Sequence, residues 1–164
     1  MKLTITAIVL AIVLIFGAKW WSTSPENKQL DEPLAQAGTE EADVLSRNGL
    51  HSHPTLEIYV DEEKQDIPGN IGVGPQNAKA PTFDPGMQMT AMHTHETDGT
   101  IHLEFQKIVT KDDVKLKNFF SIWGKDFMEF GDSVTMTVNG NESSELAEYE
   151  MKDDDQIILK YSKE

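Results

Sequence analysis

Met92-His93-Thr94-His95-Glu96-Thr97-Asp98-Gly99-Thr100-Ile101-His102-Leu103-Glu104 gathers three of the chain's five histidines around one turn signal. Asp98-Gly99 is a dipeptide favoured in two-residue type I′ hairpin loops, because both loop positions need positive φ. With those residues as the loop, Thr97 pairs with Thr100, His95 with His102 and His93 with Glu104. Strand side chains alternate, so His93, His95, His102 and Glu104 project from one face, with facing Cβ atoms about 4.5–5.5 Å apart. Ile101, Leu103 and Phe105 take the other face. The stretch therefore predicts a hairpin with polar donors on one side and core packing on the other.

Three imidazoles plus a carboxylate or an open position suit Zn(II) or Cu(II). The remaining histidines, His51 and His53, sit close together in Leu50-His51-Ser52-His53-Pro54 and are further ligand candidates. Met87, Met89 and Met92 add soft thioethers beside the histidine pair. Soft ligands favour Cu(I), so copper is the expected metal and zinc the alternative. No cysteine is present, which removes thiolate sites, disulfides and lipoprotein attachment. The competing reading takes the histidines as structural or pH-sensitive contacts and the methionines as gap-filling core. Confinement of all five histidines to two short clusters favours the metal.

There is no Gly-x-Ser-x-Gly and no His-Glu-x-x-His, so any reaction must run on the metal. Three functions follow. Handling or delivery of copper leads. The second is a metalloenzyme with an open coordination position and a pocket formed by the 72–86 loop. The third is an interaction module with structural histidines, recruiting a partner strand at an exposed sheet edge.

Outward from the hairpin, Leu56, Ile58 and Val60 alternate with Glu57 and Tyr59, the pattern of a half-buried strand. Asp61-Glu62-Glu63-Lys64 turns the chain back. Residues 68–86 are rich in glycine and proline and read as a long connection. Gly69-Asn70-Ile71-Gly72-Val73-Gly74 lacks the spacing of a dinucleotide fingerprint. A helix is expected at 115–123, where Leu116, Phe119, Phe120 and Trp123 fall at i, i+3, i+4 and i+7 and Gly124 closes the end. Val134, Met136 and Val138 form a strand running into Asn139-Gly140, a second type I′ signal. Gln156-Ile157-Ile158-Leu159-Lys160-Tyr161 reads as an apolar central strand.

Residues 3–18 are almost unbroken apolar, flanked by Lys2 and by Lys19-Trp20-Trp21. Counted to Trp21, the run approaches the ~20 residues that span a bilayer, with tryptophans at the interface. An uncleaved signal anchor over 1–21 is expected; a cleaved signal peptide is the rival, but Ala35-Gln36-Ala37 lies far from the apolar run. Residues 22–48 read as an acidic flexible tether, with a short helix over 39–47. The folded, extracytoplasmic domain then covers 49–164 of the 164 residues. The chain carries a net charge of −14, and −14 less the two anchor lysines leaves −16 on the rest. Nucleic acid and anionic lipid headgroups are poor partners for such a surface, whereas cations suit it.

The ending Leu146-Ala147-Glu148-Tyr149-Glu150-Met151-Lys152-Asp153-Asp154-Asp155-Gln156-Ile157-Ile158-Leu159-Lys160-Tyr161 resembles the close of β-grasp (ubiquitin-like) domains, where an acidic turn delivers the central last strand. The resemblance implies an α+β fold, a small mixed sheet with one packing helix, here preceded by a transmembrane helix. Sulfur carriers of that group end in Gly-Gly; this chain ends Tyr161-Ser162-Lys163-Glu164, so carrier chemistry does not transfer. The segment 93–104 followed by Asn118-Phe119-Phe120-Ser121-Ile122-Trp123-Gly124 is similar to a group of membrane-anchored or secreted prokaryotic proteins sharing that motif pair. The similarity spans roughly 51–164 and implies the domain, not a reaction.

Overall fold

The computed structural model describes residues 43–164, which form a mixed α+β domain built mostly of sheet. The expected anchor at 1–21 and the tether up to residue 42 lie outside the described residues. Among the described residues no helix is long and apolar enough to cross a membrane.

Twelve short strands carry the architecture: β1 Val44–Ser46, β2 Leu50–Ser52, β3 Thr55–Val60, β4 Glu63–Gln65, β5 Phe83–Asp84, β6 Met89–Thr90, β7 Met92–His93, β8 His102–Phe105, β9 Val109–Thr110, β10 Ser133–Val138, β11 Asn141–Ser143 and β12 Gln156–Ser162. One α-helix among the described residues, α1 Leu116–Trp123, separates β9 from β10. The largest sheet has the order β11-β10-β12-β3-β4. β12 pairs parallel with β3 and antiparallel with β10, so the last strand lies at the centre. Its alternating Ile157, Leu159 and Tyr161 are buried on one face. The β3–β4 turn places Asp61 and Glu62 at φ 48° and 70°, and Asn139 and Gly140 take 52° and 79° between β10 and β11. The expected type I′ loop at Asn139-Gly140 therefore forms.

α1 has the expected stripe. Leu116, Phe119 and Phe120 are buried, Trp123 packs at the edge of the core, and Gly124 stops the helix in the left-handed conformation. The helix packs over β7, so the strand carrying His93 has its apolar side against an aromatic layer. Leu56, Ile58, Met92, Ile101, Leu103, Phe119, Ile157 and Leu159 belong to one continuous core that joins the large sheet, the helix and the smaller β2-β8-β7 sheet.

Two local expectations are corrected. Residues 44–46 are not helical: β1 pairs antiparallel with β9, Val44 opposite Thr110 and Ser46 opposite Val109. Pairing with a strand edge outweighs the weak helical signal of a segment with so few apolar residues, as tertiary contacts commonly do. Ordered structure thus begins before residue 49.

The second correction concerns the histidine hairpin. β7 and β8 do pair antiparallel, but Met92 faces Leu103 and His93 faces His102, not His95 facing His102. The loop is the whole of 94–101 rather than Asp98-Gly99. Gly99 alone of that pair has positive φ, at 87°. It uses that freedom to lay its backbone on β3, where Leu56 N–H donates to the Gly99 carbonyl at 2.9 Å. The Ile101 N–H donates to the Pro54 carbonyl at 2.9 Å, so the loop is held to β3 and its lead-in rather than closed on itself. The Asp98 carboxylate accepts from Thr100 N–H at 2.9 Å, forming an Asx turn.

Candidate metal centre

The register differs from the expected one by two residues, and an even shift leaves each side chain on its face. His93 and His102 therefore still share a face, while Met92, Ile101 and Leu103 point into the core, each at most 1 % exposed. β2 extends this face. It pairs antiparallel with β8, His51 opposite Glu104 and Ser52 opposite Leu103. The His51/His53 pair is thus carried onto the hairpin despite the long connection between them in sequence.

All five imidazoles form one contiguous group. Ring centroids of His93 and His102 are stacked 5.2 Å apart, His95 lies 4.7 Å from His93 and 4.8 Å from His102, and His53 lies 4.8 Å from His102 and 4.7 Å from His51. Within His93, His95 and His102 one ligand atom from each lies within 4.8 Å of the others, and the same holds for His51, His53 and Glu104. The Nε2 atoms of His93 and His95 are 3.2 Å apart, as are those of His51 and His53. Two nitrogens bound at about 2.0–2.1 Å and at a tetrahedral angle to one ion stand about 3.3 Å apart. One N–H···N hydrogen bond fits the same spacing, so the donors are held close by a proton or by a cation.

His93 is the best-fixed donor. It is fully buried, and its Nδ1–H donates to the Thr90 carbonyl at 3.0 Å, which fixes the tautomer and leaves the Nε2 lone pair aimed at His95. Burial lowers the His93 pKa, with the Thr90 carbonyl pulling the other way. His102 is lowered too, first by burial and then by the neighbouring His93, His95 and His53 rings. Both effects favour neutral rings, the form that binds metal. The Nδ1 of His102 is buried without a hydrogen-bond partner. The Glu104 carboxylate is 3.8 Å from it, beyond hydrogen-bond length. A buried nitrogen left unpaired is costly and rare.

The supporting groups come from distant parts of the chain and are not legible from ligand spacing. Thr94, fully buried between the two histidines, donates to the Pro68 carbonyl at 2.9 Å and accepts from Ile71 N–H at 3.0 Å. The Gly/Pro-rich connection is thereby stitched to the histidine segment, and a Cβ on Gly69 would lie 2.5 Å from the His95 carbonyl oxygen. His53 N–H donates to the Asp153 carboxylate at 2.8 Å, anchoring the second histidine pair to the acidic turn before β12.

Of the soft-ligand candidates, Met92 is a core residue facing away from His93, a correction that follows from strand alternation. Met87 is exposed, with Gln106 Nε2–H donating to its sulfur at 3.3 Å, and Met89 is half-buried in β6. Both line an open cleft of about 400 Å³ whose walls also include His93 and Glu104. The β5–β6 hairpin forms one side of that cleft, so the 68–86 connection carries strand β5, paired with β6 just beyond it, rather than loop alone. Comparison with family models, curated proteins and solved structures finds no match to this chain.

Proposed function

We propose that the protein binds a transition-metal ion through the histidine face of β7, β8 and β2, and that its function is copper handling or delivery, with zinc as the alternative metal. The carrying observation is the assembly of His93, His95 and His102 with ligand atoms within 4.8 Å of one another beside a buried, unpartnered His102 nitrogen. Copper is favoured because Met87 and Met89 line the cleft that reaches His93 and Glu104. On this reading the domain stands outside the cytoplasmic membrane on an anchor at 1–21, and no nucleic acid is involved. We also read the fold as β-grasp-like. Its support is the sheet order second-first-fifth-third-fourth, with one helix crossing between the second and third strands and a parallel central pair.

The cleft of about 400 Å³ beside His93 and Glu104 supports a second reading, a metalloenzyme whose substrate enters there. Both readings are tested by equilibrating the full chain, in mild detergent, with Cu(I) or Zn(II) under chelator competition. A near-stoichiometric ion lost on combining His93→Ala, His95→Ala and His102→Ala supports metal binding. Absence of tight metal at neutral pH would sink both readings. For copper in particular, Met87→Ala with Met89→Ala should weaken Cu(I) about tenfold and leave Zn(II) unchanged. Equal effects on both metals, or none on either, would count against the soft-ligand role.

A further inference from the structure

We infer that the histidine face holds two metal ions side by side, one on His93, His95 and His102 and one on His51, His53 and Glu104, with Glu104 reaching the boundary between them. This rests on the metal-binding reading and sets its stoichiometry.

The geometry separates the donors into two triads rather than one shell. Two ligand atoms on a single ion at about 2.0–2.1 Å are at most about 4.2 Å apart. Each triad, within 4.8 Å, closes onto the ~3.3 Å spacing of a tetrahedral site by at most about 1.5 Å in its widest pair. The triads are built from different strands: β7 and its loop supply the first with His93 and His95, β2 and the residue after it supply the second with His51 and His53. β8 contributes one residue to each, His102 and Glu104, two positions apart on the same face. His102 Nδ1 and Glu104 Oε1 are 3.8 Å apart, so the two triads are neighbours along β8, and the donors within 4.8 Å of one another fall into these two sets.

Each triad carries its own close Nε2–Nε2 pair at 3.2 Å, so the tetrahedral spacing occurs twice. Between the triads lies the Glu104 carboxylate, with Oε1 3.4 Å from His51 Nε2 and 3.8 Å from His102 Nδ1. A carboxylate between two cations offers an oxygen to each, the arrangement of paired-metal sites with ions about 3.5–4 Å apart. It also offsets charge, since the two imidazole groups are neutral ligands. His53 and His102, with ring centroids 4.8 Å apart, close the remaining side.

The test uses the full chain in detergent with Zn(II) as a redox-silent probe and Cu(II) as a spectroscopic one. Wild type is expected to retain two Zn(II) per chain after removal of loosely held ion. The exposed His51 and His95 are the residues to replace, because neither fills the core. His51→Ala and His95→Ala should each retain one Zn(II), and the Cu(II)-loaded wild type should show a half-field EPR signal from coupled ions that both variants lose. Glu104→Gln should weaken the His51/His53 ion, of which Glu104 is a ligand, by well over tenfold, and the other ion by about tenfold, on the scale of losing an outer-shell partner. A single Zn(II) in wild type, weakened by either histidine substitution, would overturn the two-ion centre and leave metal binding standing. Two ions in wild type without coupling would overturn the adjacency. Failure to bind either metal tightly would remove the inference and the function beneath it together.

Discussion

At the scale of single residues, Gly99 sets the position of the histidine loop. A Cβ there would stand 2.2 Å from the Leu56 carbonyl oxygen, and its φ of 87° is unfavourable for any L side chain. Gly99→Ala is expected to cost about 1–3 kcal/mol, the scale of a strained left-handed position in a close contact, measured as a lower urea midpoint with unchanged slope. An unchanged midpoint would mean that the loop does not dock on β3. The same residue explains why one turn signal held and the other failed. Asn139-Gly140 forms its expected loop because both positive φ values serve the local turn, with Gln156 N–H donating to the Asn139 side chain at 2.8 Å as reinforcement. In Asp98-Gly99 the glycine's freedom serves a partner far away in sequence, and no dipeptide pattern names such a partner. Likewise Thr90 carries no ligand signature, yet its carbonyl decides which nitrogen of His93 is free.

Among elements, β8 shows what the sequence made legible. Its alternation alone specifies Leu103 for the core and His102 with Glu104 for the opposite face, so the donor face survived a register displaced by two. The 116–123 stripe and its glycine stop were equally legible, being local. By contrast, the β1 segment was set by a distant edge, Val109–Thr110, which outweighed local propensity. The long loop makes an insertion test informative. One glycine added between Glu96 and Thr97, both exposed, should be absorbed at a cost below about 0.5 kcal/mol, because loop closure depends only weakly on length. One added between His102 and Leu103 should reverse the faces of half the strand and cost at least the ~2–5 kcal/mol of a lost core leucine. Equal losses from the two insertions, read by urea unfolding, would show that the loop is not slack.

Across the whole molecule, Asp155 ties the ends of the large sheet together. Its carboxylate accepts from Tyr149 Oη–H and Lys152 N–H, each at 2.8 Å, and from Asn139 Nδ2–H at 2.9 Å, while its carbonyl accepts from Thr55 N–H at 2.7 Å. Asp155→Ala should destabilise by about 1–3 kcal/mol for each buried partner left unpaired, and a shift below 1 kcal/mol in thermal or urea unfolding would contradict that role. A second tie is ionic. Lys115 lies 3.0 Å from both the Asp112 and Glu148 carboxylates, and Lys117 joins Glu148 at 3.0 Å. Hydrogen bonds from Lys115 hold both carboxyl pKa values below their usual range, and the same contacts raise that of Lys115. Carboxyls lowered on folding stabilise above their unfolded pKa and lose that contribution as pH falls through the lowered value; the raised lysine stabilises below its unfolded pKa. The network is therefore fully present from about pH 5 to pH 10. Lys115→Met should lower stability at pH 7, with the difference from wild type shrinking at pH 3 and in high salt, since both carboxylates are exposed. A difference independent of both would show that the aliphatic stem, not the charge, matters.

The gradient of exposure across the histidines also orders events in time. His93 is fully buried, His102 is partly covered, and His95 and His51 are exposed. If an ion binds this face as proposed, an incoming donor would meet the exposed His95 before the buried His93. On the metal-binding proposal, transfer to an acceptor would then need no free ion, and its rate would be expected to rise with acceptor concentration.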